Sequence, residues 1–511
     1  MVEDVLKGLQ PEMLWSIFEA ITRIPRPSTK EQKIRAWVRT WAAERGISFK
    51  EDETGNLLLT KNAAPGCAGY PTLVLQAHMD MVCQSAPGKT IDFERDPIGI
   101  RVEGDSVKAE GTTLGADNGI GVAYALALLA ERGVPHGPLE VLLTVNEETG
   151  FTGAFGLKGD FITGSCLLNL DSEAQGEVTI GSAGGGKTEY EIPVAAEKLR
   201  GQAGIDVSVS GLLSGHSGVQ IHLPRLNAIK LILDGIAEVE KIVPVRLRGF
   251  DGGSALNAIP AQASCSLSAP AGERTKAVEA LHAWKSSAER KWKTHEPGMK
   301  IVVEQAGSSA GGTTEPWTHL GSESVLSLLR EVPHGPISWD SELGGNDDAR
   351  ETDGARESVG TRGLVRTSNN LALVRSARER VSAACLSRSS ADRELAELRY
   401  TLRRIGEARG ARVEQDEPYP GWSADTRSPF VQLVKTCYER VTGAHVTLTA
   451  VHAGLECGLF TGLYPRLQIA SIGPDIANAH SPEESVSIGS VQVLWRVLLE
   501  IVKSMGALPR G

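Results

Sequence analysis

The sequence predicts a layered α/β protein that is interrupted by a large α+β insertion. Short apolar runs alternate with helical patterns near both ends of the chain, whereas the middle is richer in Ser, Arg and Gly. Strands interleaved with helices favour a sheet covered by helices. We therefore expect one layered domain formed by residues 1–183 and 419–511, with residues 184–418 inserted between its two parts.

Individual elements of the first part follow from apolar spacing. A helix that carries Leu14 and Phe18 should end at the run Pro25-Arg26-Pro27, because proline cannot continue a helix. The apolar run at 71–82 predicts a buried strand, and residues 117–132 predict a largely buried helix. Shorter apolar runs predict further strands at 139–145 and 166–170.

The middle and the last part have their own signals. Residues 252–267 and 363–387 both predict a strand, a turn that contains Asn, and a second strand, which suggests an internal repeat with two similar halves. Residues 344–362 have almost no large apolar side chain and predict a mobile surface loop. A strand at 467–472 and a closing helix at 491–505 complete the last part.

Composition excludes several classes of protein. The 511 residues carry 53 basic and 63 acidic side chains, a formal charge of −10, which disfavours binding to nucleic acid or to an anionic membrane. The longest apolar run is far shorter than the ~20 residues that span a bilayer. The seven cysteines are scattered without a paired motif, which favours a reducing compartment. With no signal-peptide pattern at the start, we expect a cytoplasmic protein.

The residues that could carry chemistry follow apolar strands or precede a buried helix. They are His78, Asp80, Asp117, Glu147, Glu148, Asp171 and His480. In open α/β sheets, ligands bind beyond the carboxyl ends of the strands, so these chain-distant residues could converge on one pocket. Each also has a simpler interpretation alone: Asp117 could cap a helix, and Glu147 and Glu148 could form a solvated turn.

The joint pattern predicts a metal site. Several carboxylates in one cavity repel each other and lose water, so they require cations. Two imidazoles with three or more carboxylates suit zinc, with manganese or cobalt as substitutes. The ligands suffice for two open metal sites if one carboxylate bridges them, and such a pair can activate water and polarise a carbonyl. Glu147 would remain as a general base beside Glu148.

Five motifs in this order resemble the di-zinc peptidase family that includes aminoacylases, glutamate-releasing carboxypeptidases and carnosinases. The motifs are QAHMD, GADNGIGVA, NEETGFTGA, NLDSE and NAHSPEESV. Further segments, among them GLLSGHSGVQIH and HAGLECGLF, are most similar to the aminoacyl-histidine (Xaa-His) dipeptidase subgroup, and the likeness covers most of the chain. Relative to that subgroup, residues 344–362 resemble an insertion and Arg366 is atypical.

The resemblance implies two zinc ions per chain and a role for each residue at the centre. His78, Asp117 and Asp171 would hold one zinc, and Asp117, Glu148 and His480 the other. Glu147 would take a proton from the bridging water and deliver it to the leaving amine. Asp80 would fix the tautomer of His78.

The resemblance also makes the inserted domain a lid that supplies further contacts. His216 and Asn257 would stabilise the oxyanion, with His216 acting in its own chain or in the partner of a homodimer. Arg388 is the candidate for binding the substrate carboxylate. His452 and Glu456 would line the pocket, and Glu456 could contact a substrate amine.

The expected activity is metal-dependent hydrolysis of Xaa-His and related short dipeptides. Another amidohydrolase activity of the same family, on N-acyl amino acids or tripeptides, is the first alternative. The second is a catalytically inactive metal-binding or scaffold protein, against which the retention of Glu147 and of all five proposed ligands argues.

Overall fold

The computed structural model describes residues 4–305, 315–340 and 364–509. The chain divides into two compact units. Unit 1 comprises Met1–Gly181, Trp422–Ala450 and Leu455–Gly511, and unit 2 comprises Ser182–Gly421 and Val451–Gly454. The loop predicted at 344–362 lies outside the described residues. No helix among the described residues has the length and apolar character needed to cross a membrane.

The elements fall into three stretches of chain. The first contains α1 (Glu12–Thr22), α2 (Gln32–Glu44), β1 (Ser48–Glu51), β2 (Leu57–Lys61), β3 (Leu73–His78), β4 (Ile100–Glu103), β5 (Ser106–Ala109), α3 (Ala116–Ala130), β6 (Leu139–Thr144), α4 (Glu147–Gly150), α5 (Thr152–Gly156), β7 (Cys166–Asn169) and β8 (Glu177–Ser182). The second contains β9 (Gly184–Pro193), β10 (Gln202–Ser210), α6 (Ala228–Glu240), β11 (Arg246–Gly252), β12 (Ala263–Pro270), α7 (Arg274–Trp292), β13 (Lys300–Gln305), α8 (His319–Glu331), β14 (Gly335–Asp340), β15 (Leu364–Ser376), β16 (Arg380–Ser389), α9 (Asp392–Ala408) and β17 (Arg412–Gln415). The third contains α10 (Pro429–Thr442), β18 (Thr447–Val451), α11 (Glu456–Leu463), β19 (Gln468–Ser471), β20 (Ile476–Ala477), β21 (Ser485–Ser487) and α12 (Ile488–Ser504).

An eight-stranded sheet forms the centre of unit 1, in the order β1-β2-β6-β3-β7-β19-β8-β18. Strand β3 pairs in parallel with both β6 and β7, and β19 pairs in parallel with β7. Every residue of β3, β6 and β7 is buried, as their continuous apolar runs require for strands covered on both faces. The carboxyl ends of these three strands therefore lie together at one edge of the sheet.

The elements predicted for unit 1 are present with different ends. The strand expected at 71–82 covers only Leu73–His78, and the helix expected from residue 117 begins at Ala116. The backbone of Asp117 and Asn118 is not helical, and the peptide bond between them is cis. Periodicity could not reveal this irregular first turn, because the apolar pattern of the helix continues without a break.

Unit 2 contains a second sheet and a second apolar core. Unit 2 consists of two halves. Along the chain, the first half has the elements β10-α6-β11-β12-α7-β13, and the second half has β9-α8-β15-β16-α9-β17. Strand β14 is a further strand that pairs with β15. The corresponding strand orders are β11-β12-β10-β13 and β15-β16-β9-β17, and the halves join where β11 pairs with β15. The whole first half is inserted between β9 and α8 of the second.

One detail of the predicted repeat is wrong. Asn369 and Asn370 lie within β15, and the turn to β16 consists of residues 377–379. Both amides are buried and bonded: Asn369 Nδ2 donates to the carbonyl oxygen of Pro333, and Asn370 Nδ2 donates to that of Ala258. Asparagine is common in turns, but here its side chains satisfy the backbone of neighbouring loops.

Candidate metal centre

The predicted ligands converge at the edge of the unit 1 sheet where the parallel strands end. His78 is the last residue of β3, Glu147 and Glu148 open α4 after β6, and Asp171 follows β7. Asp117 lies in the irregular first turn of α3, and His480 lies in the loop between β20 and β21. The three adjacent strands bring the first group together, as side chains beyond parallel strand ends must.

Asp117 lies between the two histidines. Its Oδ1 is 3.0 Å from Nε2 of His78, and its Oδ2 is 2.9 Å from Nε2 of His480. Each carboxylate oxygen therefore faces a different imidazole. A carboxylate that bridges two cations requires this arrangement, because each oxygen must point towards its own ion.

The remaining ligand candidates complete two sets around Asp117. Oδ1 of Asp171 is 3.3 Å from Nε2 of His78, and Oε2 of Glu148 is 3.0 Å from Nε2 of His480. Ligand atoms of His78, Asp117 and Glu148 all lie within 4.8 Å of one another. The second oxygen of Glu148 is buried and has no hydrogen-bond partner. A buried carboxylate oxygen without a partner fits a cation site, because an uncompensated buried charge is costly.

Asp80 contacts both His78 and the backbone of the two glutamates. It is fully buried, and its Oδ1 lies 3.3 Å from Nδ1 of His78, the nitrogen that faces away from Asp117. The same carboxylate accepts hydrogen bonds from the backbone N–H groups of Glu147 at 3.0 Å and Glu148 at 3.3 Å. One side chain thus lies beside the imidazole and also holds the first turn of α4.

Electrostatics at the centre reflect crowded acidic groups. Burial raises the pKa of Glu148, and the nearby charge of Asp117 raises it further. Burial likewise raises the pKa of Asp171 and of Glu147. For Asp117 burial acts in the same direction, but hydrogen bonds from His480 and His78 outweigh it and lower the pKa below its ordinary value.

Two buried charged residues hold the loops of the centre, and the sequence analysis did not find either. Arg26 donates from Nη1 to the carbonyl oxygens of Met79 at 3.0 Å and Asp80 at 2.8 Å. Glu484 accepts from the backbone N–H groups of Leu114 at 2.8 Å and Ala116 at 2.7 Å. The available signals were a charged residue between two prolines and a glutamate four residues after His480.

Two further acidic side chains lie near the centre. Glu173, in the motif NLDSE, was not predicted, and the structure leaves its side chain exposed. Glu456 was predicted to line the pocket. The structure buries its side chain within unit 1, where its Oε2 accepts hydrogen bonds from Gln76 and Thr144, both at 2.7 Å.

A second polar cluster lies in unit 2 and contains three predicted residues, His216, Arg388 and His452. They surround Gly218: a Cβ at that position would lie 2.2 Å from the carbonyl oxygen of His452 and 3.1 Å from both Nε of Arg388 and Cε1 of His216. Only glycine permits this close approach. The predicted Asn257 has an exposed side chain, and its carbonyl oxygen accepts a hydrogen bond of 2.8 Å from the backbone N–H of Ser217.

Two nitrogen atoms of this cluster are buried without a partner. Arg388 uses Nη1 to donate to the Tyr419 hydroxyl at 2.8 Å, but its Nε has no partner. His452 contacts the Ser368 hydroxyl through Nε2 at 2.8 Å, and its Nδ1 has none. Burial and the charge of Arg388 lower the pKa of His452 to about 3, so the imidazole is neutral.

Arg366 is explained by local ion pairs. Its guanidinium lies 3.1 Å from a carboxylate oxygen of Asp340 and 3.4 Å from one of Glu394. It therefore joins β14, β15 and α9 at the surface of unit 2.

Comparison with known proteins identifies the family. The model of peptidase family M20/M25/M40 matches residues 74–504. The chain is 36% identical to the cytosol non-specific dipeptidase of Escherichia coli (strain K12) over 505 residues, which is 98% of this chain and 99% of that protein. It is also similar to the crystal structure of aminoacylhistidine dipeptidase from Vibrio alginolyticus, with a TM-score of 0.82, 35% identity and coverage of 99% and 98% of the two chains.

A more distant structure shares the fold. Aminopeptidase PepT from Bacillus cereus matches with a TM-score of 0.55 and 16% identity, over 97% of this chain and 99% of that one. The predicted fold class and the predicted family are both confirmed. With its ligand candidates gathered at the ends of parallel strands, and with relatives that match it along nearly its whole length, the chain belongs to peptidase family M20/M25/M40.

Proposed function

We propose that this peptidase is a metal-dependent dipeptidase that hydrolyses Xaa-His and related short dipeptides in the cytoplasm. The observation that carries the proposal is the position of Asp117, whose two oxygens face His78 and His480 separately. The names of the Escherichia coli and Vibrio alginolyticus relatives support dipeptides as the substrate class. The Escherichia coli relative is named as a cytosol dipeptidase, which supports the cytoplasmic location.

The donor set fits two metal ions. His78, Asp117 and Asp171 would hold one ion, and Asp117, Glu148 and His480 the other, with Asp117 shared between them. Mixed imidazole and carboxylate ligands suit zinc, with manganese or cobalt as substitutes. When bound, such ions polarise the peptide carbonyl and lower the pKa of water.

The protein supplies proton transfer and orientation. Glu147 lies next to the ligand Glu148, and Asp80 fixes the backbone of both. In the proposed reaction Glu147 takes the proton of the attacking water and delivers it to the leaving nitrogen. Asp80 holds Nδ1 of His78, so that Nε2 remains the ligand atom.

The polar cluster of unit 2 provides donors for the substrate. We assign the Ser368 hydroxyl as the donor to Nε2 of His452, which leaves the hydrogen of the neutral imidazole on Nδ1. Arg388 has an unpartnered Nε–H. Both are buried donors that suit an anionic oxygen, and we propose that they bind the terminal carboxylate of the dipeptide. His216 and Asn257 are proposed to stabilise the oxyanion that forms during hydrolysis.

Metal analysis combined with a substrate panel tests the proposal. The panel contains β-Ala-His, Leu-His, Gly-Gly-Gly and N-acetyl amino acids, each assayed before chelation, after chelation and after return of zinc, manganese or cobalt. We expect two ions per chain and fast dipeptide hydrolysis that chelation abolishes and metal restores. Cleavage of the acetyl compounds or of the tripeptide without dipeptide cleavage would assign the alternative amidohydrolase activity, and metal binding without turnover would assign a binding protein.

A further inference from the structure

We infer that Glu456 is a positioning residue that joins the three strand ends carrying metal ligands. This inference rests on the proposed function, because it assigns the residue to the metal centre rather than to the substrate. Glu456 is the first residue of α11, and its side chain is 1% exposed. A carboxylate so completely buried requires compensating hydrogen bonds.

The contacts of Glu456 reach two neighbouring strands at once. Its Oε2 accepts a hydrogen bond of 2.7 Å from Nε2 of Gln76 in β3, and another of 2.7 Å from Oγ1 of Thr144 in β6. Gln76 and Thr144 are themselves in contact, with 3.2 Å between Nε2 and Oγ1. One oxygen therefore fixes two adjacent parallel strands to each other and to α11.

Both strands lead directly to ligands. Gln76 precedes His78 by two residues, so the two side chains lie on the same face of β3. Thr144 is the register partner of His78 and lies three residues before Glu147. A shift of either side chain would be transmitted to the imidazole or to the glutamates through a short length of extended backbone.

The third strand is reached through Gln76. Oε1 of Gln76 accepts a hydrogen bond from Nδ2 of Asn169, the last residue of β7. Oδ1 of Asn169 in turn accepts one of 3.2 Å from the backbone N–H of Asp171. The buried series Glu456–Gln76–Asn169 thus ends on the backbone of a ligand. Together with Thr144, it links the strands that lead to His78, Glu148 and Asp171.

Two roles for Glu456 make different demands on its carboxylate. A positioning residue needs only one acceptor oxygen, which an amide also provides. A contact with a substrate amine needs the negative charge. The second oxygen, Oε1, is buried without a partner, so an amide nitrogen placed there displaces no existing hydrogen bond. Replacement by Gln and replacement by Leu therefore separate the two roles.

The test measures metal affinity without substrate and then steady-state kinetics for β-Ala-His. Zinc is titrated against a chromophoric chelator for the wild type, Glu456→Gln and Glu456→Leu. We expect Glu456→Gln to keep the zinc affinity and kcat of the wild type. Glu456→Leu leaves Gln76 and Thr144 without their acceptor, and we expect about 10–100-fold weaker zinc binding, the usual effect of losing an outer contact to a metal ligand. Its kcat should fall more than its KM rises.

Further variants control for folding and for surface charge. Glu483→Gln changes an exposed side chain and should behave as the wild type. Thr144→Val removes one of the two hydrogen bonds at nearly constant volume. If Glu456→Leu does not fold, this variant carries the test, and it should show a smaller loss of zinc affinity in the same direction.

Two results would overturn the inference, and a third would overturn the proposed function. Wild-type zinc affinity in both Glu456→Leu and Thr144→Val would show that the series does not position the ligands. A large rise of KM in Glu456→Gln, with zinc affinity kept, would assign the charge of Glu456 to the substrate amine. A wild-type protein that binds no zinc, manganese or cobalt would instead remove the proposed function itself.

Discussion

At the scale of single residues, the candidate metal centre depends on Asp117, whose two carboxylate oxygens face two different imidazoles. Asp117 contacts His78 through one oxygen and His480 through the other, although His480 lies 363 residues away in the chain. Glu147 lies beside these residues but makes neither of these contacts. Removing its charge should therefore affect proton transfer and not the metal ligands.

We predict that Glu147→Gln lowers kcat for dipeptide hydrolysis by about 10²–10⁴-fold, the usual contribution of a general base. The metal content per chain should stay at the wild-type value, because this substitution leaves all five proposed ligands in place. The assay is β-Ala-His hydrolysis alongside elemental analysis, with the exposed Glu483→Gln as the control. Turnover equal to that of the wild type would remove Glu147 from the mechanism.

The ligand candidates could be predicted from sequence because each follows an apolar strand or precedes a buried helix. The residues that fix the loops carrying these candidates could not be predicted from sequence. Arg26 and Glu484 act on backbone groups of Asp80 and Ala116, and such contacts leave no periodic signal in the sequence. The contacts of Glu456 were missed for the same reason, since sequence does not show that Gln76 and Thr144 face it.

At the scale of elements, the start of α3 is packed closely against the segment that carries Asp171. Nδ2 of Asn118 donates to the carbonyl oxygen of Leu170 at 2.8 Å and also to Asp171. A Cβ on Gly121 would lie 2.1 Å from Oδ1 of Asn118 and 2.7 Å from the carbonyl oxygen of Leu170. The helix can approach β7 only because residue 121 lacks a side chain.

We predict that Gly121→Ala destabilises the protein by about 1–3 kcal/mol, the usual cost of overpacking, and weakens metal binding by displacing Asn118 from Asp171. Gly272→Ala is the matched control, because a Cβ there has no atom within 4 Å. Denaturant unfolding and zinc titration measure both effects. An unchanged midpoint and affinity in Gly121→Ala would show that α3 shifts freely.

At the scale of the whole molecule, each unit has its own apolar core, and the proposed metal ligands belong to unit 1 alone. Ions that bind only the folded state stabilise it by about 2.7 kcal/mol at a free concentration of 100 times Kd. Chelation should therefore lower the unfolding temperature of unit 1.

Differential scanning calorimetry with zinc and with a chelator measures this effect. We expect the unfolding temperature to rise with the zinc concentration in the wild type, and to be insensitive to zinc in Asp117→Asn, which lacks the shared carboxylate. A wild-type transition that ignores zinc would contradict the assignment of the cluster as a metal site.

The sequence analysis expects layered ends around a different middle, because composition changes near both boundaries. The order of strands within unit 2 could not be predicted. Residues 252–267 and 363–387 do fall in hairpins that occupy equivalent places in its two halves, but local pattern cannot show that β9 belongs with β16, about 190 residues later.

That interleaving has a consequence during translation. The first half of unit 2 is continuous in the chain and can fold as soon as β13 leaves the ribosome. Strand β9, made earlier, must wait for β16, and at about 5–20 residues per second this delay lasts roughly 10–40 s. During that interval β9 lacks its sheet partner, and an unpaired strand can pair with other chains.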